Sequence, residues 1–123
     1  MKLQLEGQRL RVRVGEAEFA ELLAGRALDA HTQLPHGPCW SLRLQPVADG
    51  TLSVGPGDPP RLLLPLRLLE EYRGRLPCRD GIEAVQQAGD LPPLQLVFEV
   101  DVRDSVRTRG PRRRQENTDE DPD

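Results

Sequence analysis

The sequence predicts one α+β domain: a single antiparallel sheet of about six to eight strands, able to curl into a barrel, with two short helices. Three observations carry that expectation. Apolar and polar residues alternate over the first fourteen positions and again from residue 94 to 102, the mark of strands with one buried face. Only two stretches, 16–24 and 65–73, have the spacing of an amphipathic helix. The remaining apolar runs are joined mostly by short turns, which favours antiparallel neighbours over parallel ones.

The opening MKLQLEGQRLRVRV reads as a β-hairpin. Leu3 and Leu5 alternate with Lys2, Gln4 and Glu6, while Leu10, Val12 and Val14 alternate with Arg9, Arg11 and Arg13. A two-residue loop at Gly7-Gln8 suits a type II′ turn, whose first position favours Gly. That loop sets Leu5 opposite Leu10 and Leu3 opposite Val12 on one face. On the other face Glu6 meets Arg9, Gln4 meets Arg11 and Lys2 meets Arg13.

EAEFAELLA at 16–24 predicts a short helix with acidic residues in its first turn and Gly25 beyond its end. Phe19, Leu22 and Leu23 form its apolar stripe. The glutamates 16, 18 and 21 read as a solvated face. Residues 26–34 are ambiguous, with a short strand the favoured reading. Trp40, Leu42 and Leu44 alternate with Ser41, Arg43 and Gln45, which predicts a strand. Ala48-Asp49-Gly50 turns into a short strand near Thr51–Val54, and GPGDPP is loop. Arg61–Leu64 suits a buried strand, after which Pro65 opens a helix to about Arg73, stopped by Gly74. Ile82–Val85 and the long alternation Leu94–Val102 supply the last strands. No internal repeat is visible.

Domain organisation follows from charge. Residues 1–102 carry 11 basic and 14 acidic groups, whereas 103–123 carry 6 and 6 with Val106 as their only hydrophobic side chain. The first segment reads as a globular domain and the second as a disordered charged tail, because so little apolar surface cannot offset ordering entropy. The basic RGPRRR of this tail is screened by its acidic end. A net charge of −3 offers no global attraction to nucleic acid. Four aromatic rings cannot build a base-stacking groove. The longest apolar stretch is too short to span a bilayer and the N-terminus has no secretory pattern, so the expected location is cytoplasmic. Cys39 and Cys78 are then expected as reduced thiols.

The opening MKLQLEGQRLRVRV with its acidic helix, the segment HTQLPHGPCWSLRL at 31–44 and LVFEVDV near the end resemble a bacterial family of short uncharacterised proteins. Its members open with a similar MK(I/L)x(I/L)xGxx(I/L)RxR-like hairpin and close on a strand with an acidic–x–acidic pair, matched here by Glu99 and Asp101. The family often has Cys just after that pair, where this chain has Asp104 and Ser105, so no thiol role carries over. The resemblance implies a fold and a bacterial origin but no activity.

The residues able to carry chemistry fall into a few groups. Lys2, Arg9, Arg11 and Arg13 share one hairpin face, and Arg forks bind phosphate in bidentate fashion. With that face inside a barrel, Glu99 and Asp101 could hold a divalent cation such as magnesium beside a phosphorylated ligand. This arrangement is that of the triphosphate-tunnel barrels, whose acidic–x–acidic–x–Lys start is loosely similar to Lys2–Gln4–Glu6. The competing reading is an outer sheet face on which Arg and carboxylates pair across strands. His31, His36, Cys39 and Cys78 are types that bind zinc, but their spacing lacks paired-ligand turns, and Cys39 reads as a small buried apolar residue. Asp29 with His31, and either Cys with either His, lack any supporting catalytic pattern. Neither Ser41, Ser53 and Ser105 nor GPGDPP sits in a nucleophile-elbow or phosphate-loop context. The favoured expectation is a non-enzymatic accessory or protein-interaction domain without a cofactor, with a homodimer among the open possibilities. The alternative is the phosphate-binding barrel.

Overall fold

The structure, a computed structural model, describes residues 1–78 and 80–102. The expectation for the 103–123 tail lies outside the described residues.

Among the described residues, eight strands and two helices follow one another as β1 (Lys2–Glu6), β2 (Arg9–Val14), α1 (Glu16–Leu23), β3 (Leu28–Gln33), β4 (Cys39–Val47), β5 (Ser53–Gly55), β6 (Arg61–Pro65), α2 (Leu66–Arg75), β7 (Ile82–Gln86) and β8 (Leu94–Val100). The fold is α+β, but the single antiparallel sheet expected from the sequence is corrected to two. They are four-stranded and mixed, ordered β1-β2-β8-β7 and β3-β4-β6-β5, and they do not close into a barrel. Short turns do join hairpin partners. The two central pairings, β2 with β8 and β4 with β6, are parallel instead. Both join strands that are not hairpin neighbours, where turn length says nothing about direction.

The first hairpin has the register that alternation and a two-residue loop demand: Leu5 faces Leu10, Leu3 faces Val12, and Lys2 faces Arg13. Gly7 takes a φ of 57° in that loop, a left-handed conformation that costs glycine little.

Each helix follows directly on a strand. Gly15 precedes α1, and its N–H donates to the Glu18 carboxylate at 2.8 Å, closing a capping arrangement. Glu18 also binds the N-terminal amine of Met1 at 3.1 Å, so it ties the chain start to the helix instead of merely being solvated. Pro65 stands at the N-cap of α2, as its fixed φ allows. That helix runs past Gly74 to Arg75. The glycine does not stop it, because an exposed helical Gly costs only about 1 kcal/mol; the extended Leu76 before Pro77 does.

One core joins the sheets. Leu10, Val12, Val14, Leu96, Phe98 and Val100 face Leu42, Leu44, Leu62 and Leu64 across it, and Phe19, Leu22, Leu69 and Tyr72 of the helices pack into the same cluster. Phe19, Tyr72 and Phe98 meet as a ring triad at 5.9–6.4 Å, within the range where edge-to-face contacts stabilise. The Tyr72 hydroxyl accepts the Val100 N–H at 3.0 Å, and burial pushes its phenol above the ordinary value. Gly81 is required where the chain enters β7, since a Cβ there would lie 2.3 Å from the Phe98 carbonyl oxygen.

The element order conceals a repeat. Strand–strand–helix–strand–strand occurs over residues 2–47 and again over 53–100. In each half the strand before the helix pairs in parallel with the last strand of the other half. The halves are thus exchanged about a pseudo-two-fold axis, which relates one sheet to the other.

Candidate functional site

The cationic face lies on the outside. Leu10, Val12 and Val14 turn inward, so Arg9, Arg11 and Arg13 stand on the opposite face of β2, half-exposed. β8 runs beside them and sets Glu99 opposite Arg13. The Glu99 carboxylate lies 2.9 Å from Arg11 Nε and 3.7 Å from an Arg13 guanidinium nitrogen. Asp101 lies just beyond β8 and donates its backbone N–H to the Val14 carbonyl at 2.8 Å. Arg13, Glu99 and Asp101 do line one shallow depression of about 460 Å³ beside Cys78. An Arg-lined barrel interior, on which the phosphate reading depended, is not formed. The interior is filled by leucine, valine and aromatic side chains instead.

The other candidates are scattered. His31 pairs in register with Ser41 near the free edge of β3, His36 sits in the β3–β4 loop, and Cys78 follows α2. Cys39 opens β4 at the hairpin tip and is exposed, not buried; at a tip no second layer covers a strand. Among the described residues no group of three or more His, Cys, Asp and Glu is placed to hold a metal. Asp29 is taken by Arg43, which donates from Nε at 2.7 Å and from a terminal nitrogen at 3.2 Å. That hydrogen bonding holds the Asp29 carboxyl below its ordinary value. No helix among the described residues is long and apolar enough to cross a membrane.

The larger concavity among the described residues involves none of the phosphate-binding set and takes in only Asp29, His31 and Ser41 of the other candidates. It is a groove of about 910 Å³ between β1 and β3, walled by Leu3, Leu5 and Trp40 and floored by Leu10, Leu42 and Leu94. Asp29, His31, Thr32 and Ser41 mark its polar rim. Both flanking strands are sheet edges, so each presents a row of backbone donors and acceptors on its outer side. The hairpin's inner face, expected to be covered, is covered only in part: Val12 is fully buried, whereas Leu3 is 41% and Leu5 64% exposed. Trp40, at 59%, belongs to the same uncovered patch.

The pseudo-two-fold explains why this seam is open. The related seam runs between β5 and β7, and there the Gln86 side chain closes it. Its Oε1 accepts the Val54 N–H at 2.7 Å and its Nε2 donates to the Val54 carbonyl at 3.1 Å. Val54 pairs with Leu62 as Leu5 pairs with Leu10, so Leu5 is its counterpart. Ala84 pairs with Leu96 as Leu28 pairs with Leu44, so Gln86 answers to Ala30 two residues on. A methyl group at Ala30 cannot hydrogen-bond a backbone as an amide can. One seam has a clamp and the other a groove.

Sequence reasoning named the rim residues Asp29, His31 and Ser41 but missed the apolar groove, because alternation identifies the apolar face of a strand, not whether anything covers it. The one available signal was Trp40 beside the exposed hairpin tip. No protein-family model, curated protein or solved structure matches the chain, so the groove's chemistry is read from its own geometry.

Proposed function

We propose that the protein is a non-enzymatic interaction domain that takes an extended, apolar-alternating segment by strand addition along the β1–β3 seam. The observation that carries this reading is the contrast between the seams: one joined by Gln86, its counterpart at Ala30 left open, apolar and flanked by two free edges. An added strand would bond its main chain to such an edge and send every second side chain onto the leucine floor. The polar rim at Asp29, His31, Thr32 and Ser41 suits the alternate, outward-facing side chains. Residues 103–123 are a poor occupant, with Val106 as their single hydrophobic side chain.

The test is a titration of the full chain with an end-capped heptapeptide of alternating leucine and glutamine, followed by amide chemical shifts. Perturbation concentrated in residues 2–6 and 28–33 is the expected result. Ala30→Gln, which restores the missing amide, should weaken the peptide about tenfold, the effect of one or two competing hydrogen bonds. Shifts confined to the Arg9–Arg13 face, or none at all, would defeat the reading.

A further inference from the structure

Resting on that reading, the geometry points to a specific first occupant of the β1 edge: β1 of a second copy, paired antiparallel about a two-fold axis through Gln4. The strand reads Lys2-Leu3-Gln4-Leu5-Glu6, which is self-complementary when reversed. Centred on Gln4, the pairing sets Lys2 against Glu6 of the other copy, Leu3 against Leu5, Leu5 against Leu3 and Glu6 against Lys2. Both ends thus carry an opposite-charge pair, the kind that stabilises neighbouring strands. Shifting the register by one pairing step in either direction loses both charge matches.

Backbone geometry agrees. Glu6 and Arg9 flank the two-residue hairpin loop, so Glu6, Gln4 and Lys2 turn their N–H and C=O groups toward β2. Leu3 and Leu5 then turn theirs to the free edge, because the two edges alternate along an antiparallel strand. The Gln86 clamp on Val54, the counterpart of Leu5, is the same outward presentation put to use. In the dimer the two Leu3–Leu5 pairs would exchange four main-chain hydrogen bonds, and the leucine side chains would meet at the mouth of the groove. All five residues of β1 are exposed in the monomer, so the edge is accessible. Such a pairing is isologous and closes on itself, which removes an edge that would otherwise recruit further chains.

The experiment is sedimentation analysis of the full chain and of Lys2→Glu and Glu6→Lys, each alone and as an equimolar mixture. The unmodified 13.8 kDa chain should dimerise. Each single variant sets like charges opposite one another at both ends, and its dimer should weaken on the order of tenfold to a hundredfold. In the mixture a heterodimer carries an opposite-charge pair at each end: the carboxylate introduced at position 2 of one variant faces the ammonium introduced at position 6 of the other, and the retained Glu6 faces the retained Lys2. Affinity should therefore be recovered. A Gln4→Cys variant, made with Cys39→Ser and Cys78→Ser, should also form a disulfide across the axis, since residues of a non-hydrogen-bonded pair lie within bridging distance. A strictly monomeric chain, or a dimer whose affinity ignores the substitutions or is not recovered on mixing, overturns the proposal. These outcomes are separable from failure of the seam reading. A monomer whose β1 and β3 amides still shift with the peptide refutes only the self-pairing, whereas a monomer that ignores the peptide refutes both.

Discussion

The two halves of this protein build the same unit from unlike residues, and they differ most where they meet. In the amino-terminal half the strand before the helix is RLRVRV, with alternate cations; in the carboxy-terminal half it is RLLLP. Their inner positions nonetheless correspond. Phe19 and Leu22 of α1 occupy the fourth and seventh helical positions, as Leu69 and Tyr72 do in α2, and all four are buried. A helical stripe and a strand face need only apolar volume, so many residue choices satisfy them. The seams are less permissive. Joining two sheet edges takes a side chain of the right reach and polarity, and Gln86 supplies it at the β5–β7 seam alone.

The largest effect should come from breaking what the halves share. Phe19→Ala and Leu69→Ala empty corresponding sites in the core and should cost about 3–5 and 2–5 kcal/mol of unfolding free energy respectively, measured by urea denaturation. A small effect at one site alone would mean the halves are not packed alike.

Next comes the clamp. Gln86→Ala leaves the Val54 N–H and C=O without their partner and should cost about 1–3 kcal/mol, with faster amide exchange at Val54. Unchanged exchange there would show the two seams to be alike after all.

Tyr72→Phe sharpens the comparison of the helices, because Leu22, its counterpart, has no polar atom to satisfy. Leaving the Val100 N–H unmet should cost about 1–2 kcal/mol at neutral pH. The folded phenol titrates above its unfolded value. Its contribution is therefore complete below the unfolded pKa and is lost as the pH rises through the folded one. Alkaline unfolding should accordingly be less steep in Tyr72→Phe than in the unmodified chain.

The smallest effect is expected on the cationic face that the carboxy-terminal half lacks. Arg11→Ala should change stability by no more than about 1 kcal/mol, since its ion pair with Glu99 is partly solvated on the Arg side. The change should shrink further in high salt.

Much of the local structure was legible in the residues. The Leu3–Val12 and Leu5–Leu10 register follows from two alternating runs and a glycine between them, and it is the register observed. The limits of α1, the strand at Arg61 and the final alternation were equally readable. Parallel pairing of β2 with β8 was not, because it depends on which distant strands share a core, and nothing local to either strand encodes that. The repeat was hidden for the same reason: the two units share a pattern of burial and no side-chain chemistry that a comparison of letters would detect.

By itself, then, the amino-acid order determined where strands, turns and helices lie and which face of each is apolar, since those depend on neighbours one to four residues away. The tertiary structure decided which faces would be covered. One cross-strand pair shows the division: Val12 is sealed by the second sheet and the helices, while Leu3 opposite it opens onto a groove. Coverage depends on elements that approach from far along the chain, and at this seam the group that would complete it is an amide absent from position 30.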